Sequence, residues 1–293
     1  MKVLGVVGSH RRLGNTDILV REALMAAQET GAEIEILRMT DLDIKPCKGC
    51  LNCVVKDMRC DIKDDAYFFF DTLSQADGII LGAPTYCFTP GGIMKMAMDR
   101  VLQYALQFLN FREKTGALIA VSGLRRWDPL TMPVLQAFAK LMQFRVVGQL
   151  SAYAHGPGAI LMDKEALSQA YQLGLKVVEA RKENDPSKDY LRGVGVCPVC
   201  HQDVILIKNG EIECPLCMIK GVPRIESGKL LVEFTNEEIE NNSRWTPKNM
   251  MHHLEEWVRQ TGPMFKEIRE EVNKRKEKYR KFKVNIVKPP SST

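Results

Sequence analysis

Lys2-Val3-Leu4-Gly5-Val6-Val7-Gly8-Ser9-His10-Arg11-Arg12-Leu13-Gly14-Asn15-Thr16 is the stretch whose reading decides the architecture. Residues 2–7 form a short, β-branched apolar run, as expected of a strand buried on both faces of a parallel sheet. The run stops at Gly8-Ser9 and a polar loop follows. From about Asp17 to Glu29 the apolar residues Ile18, Leu19, Ala23, Leu24 and Ala27 recur at helical spacing. Strand, glycine-flanked loop and amphipathic helix together make the first half of a βαβ unit.

The same alternation continues outward. Residues 33–38 (EIEILR), 78–82 (GIILG), 117–121 (ALIAV) and 145–151 (RVVGQLS) read as four more strands. Helices are expected over about 92–110, over 129–143 with Pro129 near the first turn, and from Asp163 to about Lys182. Strands alternating with helices through short connections predict an α/β fold: a flavodoxin-like, doubly wound, five-stranded parallel sheet with its ligand beyond the carboxyl ends of the strands. A partial dinucleotide-binding fold is the rival, but no G-x-G-x-x-G follows the first strand. One connection breaks the rhythm. Roughly 25 residues between Arg38 and Asp64 lack periodicity, and so long an irregular stretch needs something to tie it down.

That stretch contains Cys47-x2-Cys50-x2-Cys53-x6-Cys60. Three thiolates within seven residues suit a cubane, because one short loop must meet several corners of a small cluster. A single zinc is the alternative, although structural zinc more often takes two separated knuckles. That second arrangement occurs later in the chain, as Cys197-Pro-Val-Cys200, thirteen residues, then Cys214-Pro-Leu-Cys217. A hairpin is expected between the knuckles, over 204–208 and 211–213 with its turn at Asn209-Gly210. The spacing predicts a four-thiolate zinc site, or a rubredoxin-like iron, folding a segment too small for its own core. His201 is a less suitable ligand since four thiolates suffice, and His252-His253 read as a surface pair.

The first loop reads as a phosphate site. Amides at a helix start and the helix dipole attract an anion, Ser9 and Thr16 can donate hydroxyls, and Arg11 or Arg12 can neutralise a dianion. Asn15 can hold the loop or cap the helix, and an ordinary βα turn capped by Thr16 is the plain reading. GSHRRLGNT resembles the GSxRxxGNT signature of the NADPH-dependent FMN reductase superfamily. Ala83-Pro84-Thr85-Tyr86-Cys87, Pro90-Gly91-Gly92-Ile93-Met94-Lys95 and Asp99-Arg100 are similar to its SPxYF…MKxFxDR segment. The resemblance, covering about residues 1–180, implies FMN, with its phosphate on Ser9, Arg11, Gly14, Asn15 and Thr16 and its ring against Pro84, Thr85 and Tyr86, beside Cys87. A third flavin loop is expected at Ser122-Gly123, where Leu124-Arg125-Arg126-Trp127 departs from the family's glycine-rich run.

The compact cysteine motif in such a domain resembles that of the iron–sulfur flavoproteins, a branch of the superfamily. This implies a [4Fe–4S] cluster that takes single electrons from a ferredoxin-like donor and passes them to FMN, with dioxygen or peroxide as acceptor. It also implies a homo-oligomer, dimer or tetramer. No side chain is nominated as a general acid. Two other functions fit the same residues: an NAD(P)H-dependent FMN or quinone reductase with structural metals, and a redox-sensing regulator with a nucleic-acid arm.

Composition sets the outer limits. The 293 residues are 45% hydrophobic and 26% charged, a globular mix, and no apolar window nears the roughly 18 residues of a membrane span. The initial apolar run is too short for a secretory signal, so a cytoplasmic location is expected. Net charge is +5, yet residues 261–293 alone carry +6. In that tail Glu267, Glu270, Glu271 and Glu277 interleave with the basic residues, which suits a solvated or partner-packing helix and argues against nucleic acid. Three units are expected: 1–185 with its cysteine insertion at 40–63, a metal ribbon at 191–235, and a charged helical extension at 246–293 begun by Thr246-Pro247.

Overall fold

The computed structural model describes residues 1–55, 59–104, 111, 114–185 and 188–283. The first unit runs β1 (Lys2–Val7), α1 (Asn15–Glu29), β2 (Glu33–Arg38), α2 (Asn52–Val55), α3 (Ala66–Gln75), β3 (Gly78–Tyr86), β4 (Thr89–Pro90), α4 (Gly92–Asp99), β5 (Thr115–Ser122), α5 (Thr131–Leu141), β6 (Arg145–Tyr153) and α6 (Lys164–Glu183). Its sheet has the order β2-β1-β3-β5-β6, all parallel, with β4 paired antiparallel to the end of β3. This is the doubly wound, flavodoxin-like arrangement expected from the alternation of elements.

Period-two alternation in β1 explains the two layers. Leu4 and Val6 face one apolar cluster with Phe69 and Phe70 of α3, Met94 of α4 and Phe138 of α5. Val3 and Val7 face the other, with Leu19, Val20 and Ala23 of α1 and Val177 of α6. Gly82 lets α1 lie against β3, because a Cβ there would sit 2.6 Å from Val20 Cγ2 and 2.9 Å from Thr16 Cγ2. The strand carboxyl ends are thus held tightly against the start of α1.

Several elements differ from expectation. β3 continues through Ala83-Pro84-Thr85-Tyr86, residues whose Pro and polar character suggest a loop, because Ala83-Pro84 still pair with β5 and Thr85-Tyr86 pair with β4. α4 stops at Asp99, capped by Arg100, and a 3-10 turn follows at Val101–Tyr104. The remainder of the expected helix, 105–110, lies outside the described residues. α5 begins at Thr131, so Pro129 precedes it rather than occupying its first turn. α6 matches its expected span, with Asp163 Oδ1 accepting from the Ala166 amide at 3.0 Å.

The C-terminal part contains a four-stranded antiparallel sheet, β7 (Leu206–Lys208), β8 (Glu211–Glu213), β9 (Lys220–Glu226) and β10 (Lys229–Glu233). Asn209-Gly210 joins the first pair with φ of +53° and +80°, the primed turn that suits strand twist. Ser227-Gly228 does the same for β9 and β10, at +50° and +75°. This second hairpin is not apparent from the sequence pattern, since its apolar residues are mostly exposed and do not alternate. Three helices follow: α7 (Asn236–Asn242), α8 (Pro247–His252) and α9 (Thr261–Lys281). Thr246 caps α8, its Oγ1 accepting from Asn249 N at 3.2 Å, and a π-helical turn spans His253–Val258. Thr261-Gly262-Pro263 starts α9, where a first-turn proline forfeits no helical hydrogen bond. No helix among the described residues is long and apolar enough to cross a membrane.

Candidate functional site

Three loops leave the carboxyl ends of the adjacent strands β1, β3 and β5. The first is shaped by a buried acid. Asp17 Oδ2 accepts from Leu13 N at 2.8 Å and from Arg38 Nη1 at 3.0 Å, while Arg38 Nη2 donates to the Ser9 carbonyl at 2.8 Å. Leu13 is thereby held at φ +51°, and Gly14 caps α1 where a Cβ would lie 2.8 Å from Arg11 Cβ. Asn15 turns its side chain away from the loop. Its Nδ2 donates to Gly156 O at 2.9 Å and Ala154 O at 3.3 Å, and its Oδ1 accepts from Ile160 N at 3.2 Å. Asn15 is therefore a brace to the loop after β6.

What remains open at the helix start fits a phosphate. Amides in the first turn of α1 have no intrahelical acceptor. Thr16 is buried while its hydroxyl has no protein partner among the described residues, and Ser9, also buried, accepts from Arg11 N at 3.2 Å through Oγ, keeping its own proton to give. Arg12 reaches toward Asp41 at 3.6 Å, whereas Arg11 is exposed and has no ion pair among the described residues. The structure thus separates two arginines that the sequence left equivalent. Neither Asp17 nor Arg38 stands out in the sequence, although an acid in a helix's first turn is a recognised signal.

The second loop is a tight hairpin. Thr85 pairs with Pro90 and Tyr86 with Thr89, leaving Cys87 and Phe88 as a two-residue turn at φ +47° and +74°. Neither is glycine, so each carries left-handed strain of about 1 kcal/mol. Gly91 N donates to Pro84 O at 3.1 Å, and a Cβ on Gly91 would lie 3.1 Å from the Tyr86 ring and 3.8 Å from the Gly8 carbonyl. The first and second loops are neighbours in consequence. In the third loop Ser122 Oγ donates to Leu124 O at 2.9 Å, and Gly123 has open space above it. Trp127 stacks on Phe88 with ring centroids 5.5 Å apart and planes 15° apart. These rings are 58% and 47% exposed, which leaves an aromatic rim beside Tyr86 and Cys87.

The cysteine insertion lies between β2 and α3. Cys47 and Cys50 are exposed, Cys53 and Cys60 half-buried, with Cys53 on the single helical turn α2. They do not close to the mutual spacing a single ion requires; among the described residues only the later quartet does. Cys53 nevertheless feels the other three. Its thiol is pushed up by burial and then by the charges of Cys60, Cys50 and Cys47. A cubane separates its thiolates more widely than one ion does, so this looser quartet fits a cluster better than zinc.

The second cysteine group is closed. The Sγ atoms of Cys197, Cys200, Cys214 and Cys217 lie within 4.8 Å of one another and all four residues are buried. Hydrogen bonds from Cys197, Cys200 and Cys217, and from Gln202 Nε2 at 3.1 Å, hold Cys214 far below the ordinary thiol range. That is the donor set of a tetrahedral structural site. The ribbon rests on the sheet domain through Gln136, whose Nε2 donates to His201 O at 3.0 Å and Gln149 Oε1 at 2.8 Å. His201 faces Asp189, not the quartet.

The sequence matches the NADPH-dependent FMN reductase family over residues 1–157. It is 37% identical over 191 residues to an iron–sulfur flavoprotein of Methanocaldococcus jannaschii, covering 62% of this chain and 98% of that protein. This chain belongs to the iron–sulfur flavoprotein branch of the FMN reductase family. It is an FMN oxidoreductase. A flavone synthase of Aspergillus candidus is 27% identical over 286 residues, spanning 87% of this chain and 88% of that one. Among solved structures, a flavone reductase superposes with a TM-score of 0.81 at 24% identity, over 99% of this chain and 100% of that one. The ribbon and terminal helices are thus part of a shared architecture, not an addition peculiar to this FMN reductase family member.

Proposed function

We propose that this flavoprotein carries electrons from a one-electron donor of the ferredoxin class, through a [4Fe–4S] cluster on Cys47, Cys50, Cys53 and Cys60, to FMN. A cubane supplies electrons singly and flavin gathers two, so the pair turns one-electron supply into two-electron chemistry. The observation that carries the reading is the cysteine quartet itself, Cys47, Cys50, Cys53 and Cys60, gathered on one loop of the flavin domain with the other three close enough to raise the Cys53 thiol. Ser9, Arg11, Gly14 and Thr16 would hold the phosphate, with Asn15 bracing the loop. Pro84, Thr85, Tyr86, Cys87, Ser122 and Gly123 would border the ring. Cys197, Cys200, Cys214 and Cys217 would hold zinc, or a single iron of the rubredoxin kind. A homo-oligomer would let cluster and flavin of different copies exchange electrons.

Anaerobic rapid mixing tests the route. Reduced ferredoxin should bleach the flavin of the parent protein and not of Cys53→Ser. Equal bleaching of both by NADPH, with none from ferredoxin, overturns it in favour of direct nicotinamide reduction.

For the acceptor, dioxygen or peroxide is one reading, and a planar aromatic is the other. The second is favoured by the exposed Phe88–Trp127 stack and by the near full-length likeness to a flavone synthase. Trp127→Ala should then raise KM for a planar aromatic acceptor about tenfold, one lost stacking contact, and leave reoxidation by dioxygen unchanged. An unchanged KM removes the aromatic reading.

A further inference from the structure

Asp99-Arg100 closes the second flavin-loop motif, and nothing in the flavin site uses the arginine. Its side chain points the other way, into the neck of the cysteine insertion. Arg100 is 2% exposed and caps α4, the helix whose first turn follows the Pro90-Gly91 flavin loop. Its Nη1 donates to Lys45 O at 3.0 Å and its Nη2 to Gln103 Oε1 at 3.2 Å. Both nitrogens engage the buried Asp64 carboxylate, one at 3.3 Å. Asp64 also accepts from Lys45 N at 2.9 Å, so the two ends of the insertion, at 45 and 64, are clasped around one guanidinium. The same Nη2 that meets Asp64 and Gln103 also faces a ligand. Arg100 Nη2 lies 3.4 Å from Cys60 Sγ. Cys60 is fixed from its other side by its own amide, which donates to Tyr67 Oη at 2.9 Å.

We propose that Arg100 is a positioning residue that sets the reduction potential of the cluster through its hydrogen bond to the Cys60 sulfur. This rests on the cluster reading given above. When the cluster takes one electron from its donor, its charge falls by one unit and no bond is made or broken. A buried guanidinium donating to a ligand sulfur favours the more negative, reduced form, so it raises the potential. Asp64 keeps that cation buried and oriented, and α4 links the clasp to the flavin loop. The planar fork of Arg100 meets the Lys45 carbonyl with Nη1 and Cys60 with Nη2 while both nitrogens engage Asp64, a spread that the compact ammonium of a lysine does not reproduce.

The test is a redox titration of the whole, cluster-loaded protein followed by electron paramagnetic resonance. Three proteins are compared: parent, Arg100→Lys, and Arg100→Met/Asp64→Asn, the last removing both charges so that no carboxylate is left buried alone. Both variants should retain iron. At a fixed potential their reduced-to-oxidised ratio should fall at least tenfold, about 59 mV for a one-electron couple, and the signal of the reduced cluster should change shape. A potential equal to the parent's in either iron-loaded variant overturns the proposal. Loss of iron from both also overturns it, leaving Arg100 only the task of holding the loop. Absence of iron and sulfide from the parent would instead overturn the cluster reading, and is seen before any variant is made.

Discussion

The two groups of four cysteines use the same side chain in opposite surroundings. In the ribbon all four thiols are buried within 4.8 Å of one another, inside a unit whose apolar neighbours number only a few, among them Ile219, Phe234 and Trp245. In the sheet domain the other four sit on a loop that is largely exposed, beside a core already complete without them. One group stands in for a hydrophobic core; the other is mounted on one. Removing metal should therefore have different consequences at the two places.

The largest effect is expected at the ribbon. Structural zinc contributes an apparent ~10–16 kcal/mol of binding energy in small zinc-folded peptides, far more than a unit of this size can replace. Stripping the metal proposed for the ribbon, or Cys214→Ser, should abolish amide protection over 197–233 in hydrogen exchange while β1, β3 and β5 remain protected. Persistent protection in the metal-free ribbon would erase the contrast. Next comes the loop between β1 and α1, the proposed phosphate site, which belongs with the preformed structure. Asp17→Asn leaves Arg38 without its buried counter-charge, and denaturant unfolding should show a loss of about 3 kcal/mol together with weaker FMN binding. Retained stability and affinity would mean that the loop is shaped by its ligand. Cys87→Gly should work in the other direction, relieving a left-handed non-glycine residue and raising stability by about 1 kcal/mol in the same assay. Smallest of all is Cys53→Ser in metal-free protein, with a change of about 0.5 kcal/mol, since the loop carries little of the fold. A loss of several kcal/mol there would show that the insertion is part of the core.

Central strands are legible because both their faces are buried, as in Lys2–Val7, whereas the edge strand Glu33–Arg38 shows itself by alternation of charged and apolar residues. The ribbon's ligand spacing and the Asn209-Gly210 turn were equally plain. What local sequence does not encode depends on partners distant along the chain. Tyr86 lies in a strand only because Thr89 folds back on it, and Arg38 matters only because the fold brings it to Asp17. Arg100 was visible as part of a motif, but its contacts at Lys45, Cys60 and Asp64 lie 36 to 55 residues away. Local pattern gives elements and ligand types; it does not give the tertiary hydrogen bonds that orient them.

The account depends most on what occupies the insertion. Iron, acid-labile sulfide and flavin should be counted per chain in anaerobically purified parent protein and in Cys53→Ser. The expected result is about four irons, four sulfides and one FMN in the parent, with iron and sulfide lost and flavin kept in the variant. A parent that is yellow but free of sulfide, or a variant that keeps its full iron, contradicts the relay.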